Sequence, residues 1–122
     1  MRKVYDKIKI DHAGYVFASK LEAALFDLLK LRERAGEISD IKCQDSVYLT
    51  KARILFKPDF SYLEGDARVY AEAKGFETVV YAIKRRLWAK YGPGPLHVYK
   101  GSYKQITLFE SIFPEHQSDM TL

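Results

Sequence analysis

"KPDFSYLEGDARVYAEAKG", residues 57–75, decides how this chain is expected to fold. Gly65-Asp66 is one of the favoured two-residue hairpin loops, and it lies between two arms that read as strands. With Glu64 facing Ala67, opposed residue numbers sum to 131, which sets Asp59 opposite Glu72. Strand side chains alternate with a period of two. Lys57, Asp59, Glu72 and Lys74 are therefore expected on one face, with Phe56, Pro58, Phe60, Ala71 and Ala73 forming a core on the other. Directly opposed Cβ atoms lie about 4.5–5.5 Å apart, and like charges there destabilise a sheet. Two carboxylates so placed need a shared proton or a cation. Lys57 and Lys74 supply one answer, a partly exposed ion network. A divalent ion such as Mg²⁺, bound by hard oxygen ligands, supplies another. A bulge at Pro58 would shift this register.

On either side of the hairpin the chain reads as further short elements. Lys7-Ile8-Lys9-Ile10 alternates polar and apolar, Asp11-His12-Ala13-Gly14 turns, and Tyr15-Val16-Phe17 closes a small N-terminal hairpin. Ser19-Lys20-Leu21-Glu22 has the form of a capping box and opens a helix to about Arg34, stopped by Gly36. Ile41 to Leu49 and Arg53 to Leu63 read as strands, with Pro58 marking an edge or bulge in the second. Ala67 to Lys74 is the third strand. Thr78 caps a second helix to about Tyr91, which Gly92-Pro93-Gly94-Pro95 terminates. Leu96 to Tyr99 and Gln105 to Phe109 are further strands. The order helix, three strands, helix, strand predicts an α/β (mixed α+β) domain with one central sheet and a helix able to cover each face.

The 122 residues, 48% hydrophobic and 30% charged, suit one globular domain over residues 1–122 with a frayed tail after about residue 114. No apolar run reaches the roughly 20 residues that span a bilayer. The basic N-terminus lacks the apolar stretch of a signal peptide. Cys43 is the single cysteine, which fits a reducing cytosol and reads as a small core residue. His12 reads as a turn residue, His97 as a strand residue and His116 as tail, none at convincing metal spacing. The chain has no Asn, and scarcity of thermolabile amides is one trait of thermophile proteins.

The formal charge of +4 is unevenly placed. From Lys74 to Lys104 seven Lys or Arg stand against one acid, Glu77, while the remainder carries a net charge of −2. Such a basic segment suits either a polyanion partner or a solvated helix face. On the second helix Tyr81, Lys84, Arg85 and Trp88 fall at i, i+3, i+4 and i+7, beside an apolar stripe of Val80, Ile83 and Leu87. The cations can neutralise phosphates and an exposed aromatic can stack on an unpaired base. The alternative sends Tyr81 and Trp88 into the core, with the cations snorkelling past them, and is preferred for Trp88. Tyr5, Lys7 and Lys9 form either a DNA-contacting arm or a protected edge strand.

Glu22 is the third acid of interest. Leu25, Phe26 and Leu29 follow it at three, four and seven residues, so it points along an apolar stripe. A carboxylate there requires a partner, either back-bonding to Ser19 in the capping box or something further away.

Pro58-Asp59, then Glu72-Ala73-Lys74, with Glu22 on the preceding helix, resembles the PD-(D/E)xK nuclease superfamily, and so does the element order. Over most of its length the chain is similar to small phage and prophage endonucleases of the Holliday junction resolvase type. That similarity is carried by Phe17, Ser19, Glu22, Ala35-Gly36-Glu37-Ile38, Gln44, Pro58-Asp59-Phe60, Glu72-Ala73-Lys74-Gly75, Thr78 and Tyr81-Ala82-Ile83-Lys84. The chain departs from that family in a shorter segment between the acids, in Ala73 where Val or Asp is frequent, and in lacking Asn or Pro after Gln44.

The resemblance implies a restriction-endonuclease-like core and hydrolysis of a DNA phosphodiester to a 5′-phosphate and a 3′-hydroxyl. It implies Glu22, Asp59, Glu72 and the Ala73 carbonyl as ligands of Mg²⁺ or Mn²⁺. Glu22, Asp59, Glu72 and Lys74 would be the catalytic set, with Lys74 orienting or deprotonating the attacking water. Candidate DNA contacts are Tyr81, Lys84, Arg85 and Arg86, with Ser19 and Lys20 at the start of the first helix. The expected setting is a cytoplasmic phage or prophage protein in a bacterial host, acting as a homodimer on branched or junction DNA and not at a membrane. The competing readings are another structure-specific, nicking or restriction-like nuclease, and a non-catalytic basic DNA-binding module.

Overall fold

A computed structural model of the chain describes residues 10–12, 14–75 and 77–115. The sequence-predicted arm at Tyr5, Lys7 and Lys9, the tail with His116, and Phe76 lie outside these residues. The hairpin β1 (Ile10–His12) and β2 (Tyr15–Phe17) comes first, followed by α1 (Lys20–Arg34). Next come β3 (Ser39–Cys43), β4 (Val47–Tyr48), β5 (Leu55–Phe56), β6 (Phe60–Glu64) and β7 (Ala67–Ala73). Helix α2 (Val79–Tyr91) then crosses to β8 (Leu96–Ser102) and β9 (Gln105–Ile112). Asp11 and His12 belong to β1, so the first turn is shorter than the sequence suggested. No helix among the described residues is long and apolar enough to cross a membrane.

Strands β3-β6-β7-β8-β9 form one mixed sheet, parallel only between β7 and β8. A parallel pair needs a crossover, and α2 supplies it. The two helices cover opposite faces. Phe60, Tyr62, Val69, Ala71 and Tyr99 pack with Leu25, Phe26 and Leu29 of α1. Tyr70, Leu96, Val98 and Ile112 pack with Tyr81 and Trp88 of α2. The alternation Val69/Tyr70/Ala71 follows directly from the period of two. Burying a large apolar side chain stabilises the fold by about 1.5–3 kcal/mol, and Leu25, Leu29 and Trp88 are fully enclosed.

Local chemistry fixes the helix ends. The Ser19 hydroxyl accepts from the Glu22 N–H at 3.1 Å, as its capping sequence requires. Gly36 (φ 80°) closes α1 with paired bonds from Gly36 N to Glu33 O and from Glu37 N to Arg32 O, the Schellman pattern. Thr78 caps α2 by accepting from the Tyr81 N–H at 3.0 Å. Trp88 Nε1 donates to Gly94 O at 2.8 Å, tying the helix to the turn that ends it. Gly94 has no room for a side chain, because a Cβ there would strike the Arg68 carbonyl of β7.

The hairpin register is the predicted one: Phe60 pairs with Ala71 and Glu64 with Ala67. Gly65 alone of the two loop residues has positive φ (64°), matching a II′ turn. Two expected long strands are each broken. Ile41–Leu49 divides at Gln44, whose φ is +56°. Arg53–Leu63 divides at Lys57-Pro58-Asp59, where proline cannot donate to a ladder. The outer pieces, β4 and β5, pair with each other and leave the sheet as a separate ribbon. Phe56 therefore joins the α2 core, opposite to Phe60, instead of sharing its face.

Candidate functional site

Three carboxylates come from three elements. Glu22 lies in the first turn of α1, Asp59 just before β6, and Glu72 near the end of β7. Glu22 and Glu72 are buried, and Asp59 is half-buried. Glu22 does not close the expected capping box on Ser19. Its Oε1 accepts from the Ala18 N–H at 3.0 Å, and its Oε2 accepts from Gln44 Nε2 at 3.2 Å. The left-handed turn at Gln44 carries that side chain to the helix, and the Gln44 N–H donates to the Asp59 carbonyl at 2.8 Å.

Asp59 and Glu72 do not form a ladder pair, because pairing stops one residue short, at Phe60 and Ala71. Pro58 and the Gln44 contact turn the Asp59 backbone away, and its Oδ2 instead accepts from the Ala73 N–H at 2.9 Å. The two carboxyls remain electrostatic neighbours. Asp59 is held well above the usual carboxylate range by burial, then by the charges of Glu72 and Glu22. Glu72 is raised by burial, although the Lys74 ammonium and the Asp59 N–H draw it back. Burial likewise raises Glu22 against its two hydrogen bonds. Three acids that oppose one another's ionisation in a partly dry site favour added positive charge.

Lys74 supplies some of that charge. Its Nζ lies 3.3 Å from Glu72 Oε2 and 4.1 Å from the centre of the Tyr81 ring. Lys57, Glu72, Lys74, Thr78, Tyr81 and Lys84 line one cavity of about 270 Å³, so three lysines face one carboxylate. Glu22 and Gln44 line a separate cleft with Val16, Phe17 and Ala18. Among the described residues, no three His, Cys, Asp or Glu side chains stand together as a metal-ligand group. Each carboxylate is instead held by a protein donor. The donor chemistry is of the type a hard divalent cation takes, because the three side chains offer only oxygen.

The helix α2 contacts are rearranged relative to the sequence reading. Tyr81 is buried, and its hydroxyl is a buried polar side-chain atom without a hydrogen-bond partner. Arg85 is engaged by Glu77 at 2.9 Å and Glu110 at 2.7 Å. Trp88 is fully buried, the alternative preferred for it. Of the apolar stripe Val80, Ile83 and Leu87, the first two are exposed and Leu87 is partly buried against the Tyr81 and Trp88 core. Lys84 points into the lysine-lined cavity and Arg86 is exposed. Ser19 is occupied as a cap, and Lys20 Nζ lies 4.9 Å from the Tyr103 ring centre. His97 is a half-buried strand residue bonded to Ser111 at 2.7 Å.

Cys43 is not a core residue. It is exposed at the end of β3, and partial desolvation, then the charges of Glu22 and Asp59, raise its thiol pKa. Sequence reasoning also left Gln44 out of the site and did not foresee that Thr78 shares a cavity with Glu72 and Lys57, which were expected on one face. The alternation signal that located Asp59 and Glu72 carries no information about a left-handed residue at Gln44.

Residues 2–110 match the family described as "Protein of unknown function (DUF1064)". No curated protein matches the chain.

Proposed function

The chain belongs to the DUF1064 family, and we propose that it is a metal-dependent endodeoxyribonuclease that hydrolyses phosphodiesters in branched DNA, of the Holliday junction resolvase type. The observation that carries this reading is that Glu72 shares one cavity with Lys57, Lys74 and Lys84, while the Asp59 carboxylate is held on the neighbouring Ala73 N–H. Burial and the charges of Glu72 and Glu22, which hold Asp59 above the usual carboxylate range, agree with it. Acids facing a phosphate are a handicap to a simple DNA-binding surface and an asset to one that holds a cation. The order α1, β3, β6, β7, α2, β8 is that expected of a restriction-endonuclease-like core and supports the same reading.

In this reading Glu22, Asp59, Glu72 and the Ala73 carbonyl would hold Mg²⁺ or Mn²⁺. The ion would lower the pKa of a bound water and polarise a phosphoryl oxygen. Lys74, as the ammonium that contacts Glu72, would orient the attacking water and exchange that contact for one with the phosphate. Lys57 and Lys84 neutralise the phosphate entering the same cavity, while Gln44 and the Ala18 N–H hold the Glu22 carboxylate in place. A homodimer in the cytoplasm of a phage's bacterial host would supply the two sites that symmetric junction cleavage needs.

The 3.3 Å contact between Glu72 and Lys74 also suits a second reading, a basic DNA-binding module with a structural ion network. Cleavage of matched four-way, flap and linear DNA in Mg²⁺ separates the readings. The nuclease cuts the junction, and Asp59→Ala lowers the rate by about a hundredfold or more, as expected for loss of a charge-stabilising group. Equal cutting of linear duplex removes the junction preference. No cutting of any substrate by the wild type removes the nuclease and leaves the module.

A further inference from the structure

A second cavity, of about 670 Å³, opens beside the β4–β5 ribbon and is lined by Tyr48, Leu49, Thr50, Lys51, Ala52 and Tyr91. The ribbon tip is well defined. Leu49 N donates to Ile54 O at 2.8 Å, Arg53 N to Thr50 O at 2.8 Å, and Ala52 N to the Thr50 hydroxyl at 3.0 Å. Arg53 occupies the left-handed position of this loop (φ 63°), where glycine would fit with less strain. Its guanidinium lies 4.2 Å from the centre of the Tyr48 ring. Tyr48 and Tyr91 remain 54% and 47% exposed, so two aromatic side chains from different elements offer ring surface to one open cavity.

Charge and continuity indicate the occupant. From Val47 to Phe56 the chain carries Lys51 and Arg53 and no acid. The ribbon is anchored by Leu49 and Phe56 in the α2 core, with Phe56 edge-on to Tyr81 and Trp88. Phe56 and Lys57, at its return end, also line the cavity that holds Glu72 and Lys74. A polyanion held in the lysine-lined cavity would therefore meet the ribbon next.

We propose that this cavity is a stacking subsite for an unpaired nucleobase of a DNA strand, with Tyr48 and Tyr91 contacting the base and Lys51 and Arg53 its phosphates. A cavity of this size accommodates a nucleotide. Stacking on aromatic rings tolerates any base and strengthens binding about tenfold or more per base. The subsite rests on the nuclease reading for its biological purpose, but the binding it predicts does not require cleavage.

The test is fluorescence anisotropy of the full-length chain in EDTA, with labelled oligo-dT and a labelled duplex of equal length. Tyr48→Ala/Tyr91→Ala is expected to weaken oligo-dT binding at least about tenfold and to leave duplex binding within about twofold. The Tyr48→Phe/Tyr91→Phe variant keeps the rings and should bind like wild type. Arg53→Gly suits the loop backbone, so it should preserve thermal stability while lowering the salt dependence of binding by about one phosphate contact.

Wild-type affinity for oligo-dT in the double alanine variant, or equal weakening toward duplex, overturns the subsite. So does a wild type that binds no oligo-dT. If the alanine variant unfolds, the Arg53→Gly result decides: unchanged binding and salt slope overturn the proposal. A wild type that cuts no DNA in Mg²⁺ but gives the predicted anisotropy pattern rejects the nuclease and keeps the subsite. One that cuts DNA without the pattern does the reverse.

Discussion

Helices α1 and α2 cover opposite faces of one sheet by different means. On α1 the apolar stripe of Leu21, Leu25, Phe26 and Leu29 is buried, as its spacing implies. On α2 the most apolar positions, Val79, Val80 and Ile83, are exposed, and the helix buries Tyr81 and Trp88 instead. The difference lies in what each helix must reach. Helix α1 packs on a continuous apolar face. Helix α2 makes the crossover from β7 to β8 and fits its two large rings against Phe56 and Tyr70. Aromatic area outweighs several small branched side chains, so the buried face of α2 is the one that carries Tyr81 and Trp88, with Leu87 of the apolar stripe partly buried beside it.

The largest test of this contrast is truncation of each helix's anchor. Trp88→Ala is expected to cost about 3–5 kcal/mol and Leu29→Ala about 2–5 kcal/mol, read from denaturant unfolding. A small loss at Trp88 would mean that α2 does not pack through its rings.

A second effect depends on pH. The Glu22 carboxyl is raised above its ordinary value of 4.5 by burial. The folded chain therefore keeps a proton that the unfolded chain has released. The cost of ionising Glu22 in place is absent below its ordinary value and grows as pH rises through the raised one. Without metal, Glu22→Gln should raise the unfolding temperature at neutral pH, and the gain should shrink on acidification. A constant or reversed difference would show that the Glu22 charge is already satisfied by Ala18 and Gln44.

The smallest effect belongs to the exposed stripe. Ile83→Ser should change stability by no more than about 0.5 kcal/mol, as for other surface positions. A loss above about 2 kcal/mol, comparable with a core truncation, would restore the stripe to the core.

The legible parts of the sequence were those fixed by short-range chemistry. Gly65-Asp66 set the β6–β7 register, Ser19 and Thr78 marked the helix starts, and Gly36 marked a stop. The region from Gln44 to Asp59 was not legible. A left-handed residue other than glycine leaves little trace in composition, and the β4–β5 ribbon forms only because Gln44 and Pro58 interrupt two strands. Asp59 and Glu72 were correctly brought near each other, but their ladder pairing was not, because the interruption removes the last rung. Arg85 was drawn into ion pairs by Glu110, 25 residues away, which helical spacing cannot reveal.

The proposed nuclease function requires that Glu22, Asp59 and Glu72 come to share a cation. Calorimetric titration of the full-length chain with Mn²⁺ tests it most directly, in two buffers of different ionisation heat. The account predicts binding accompanied by proton release, as carboxyls held above their usual range give up protons to the ion, and loss of that binding in Asp59→Asn and Glu72→Gln. No heat of binding in the wild type, or Mn²⁺ binding unchanged in both variants, would contradict it.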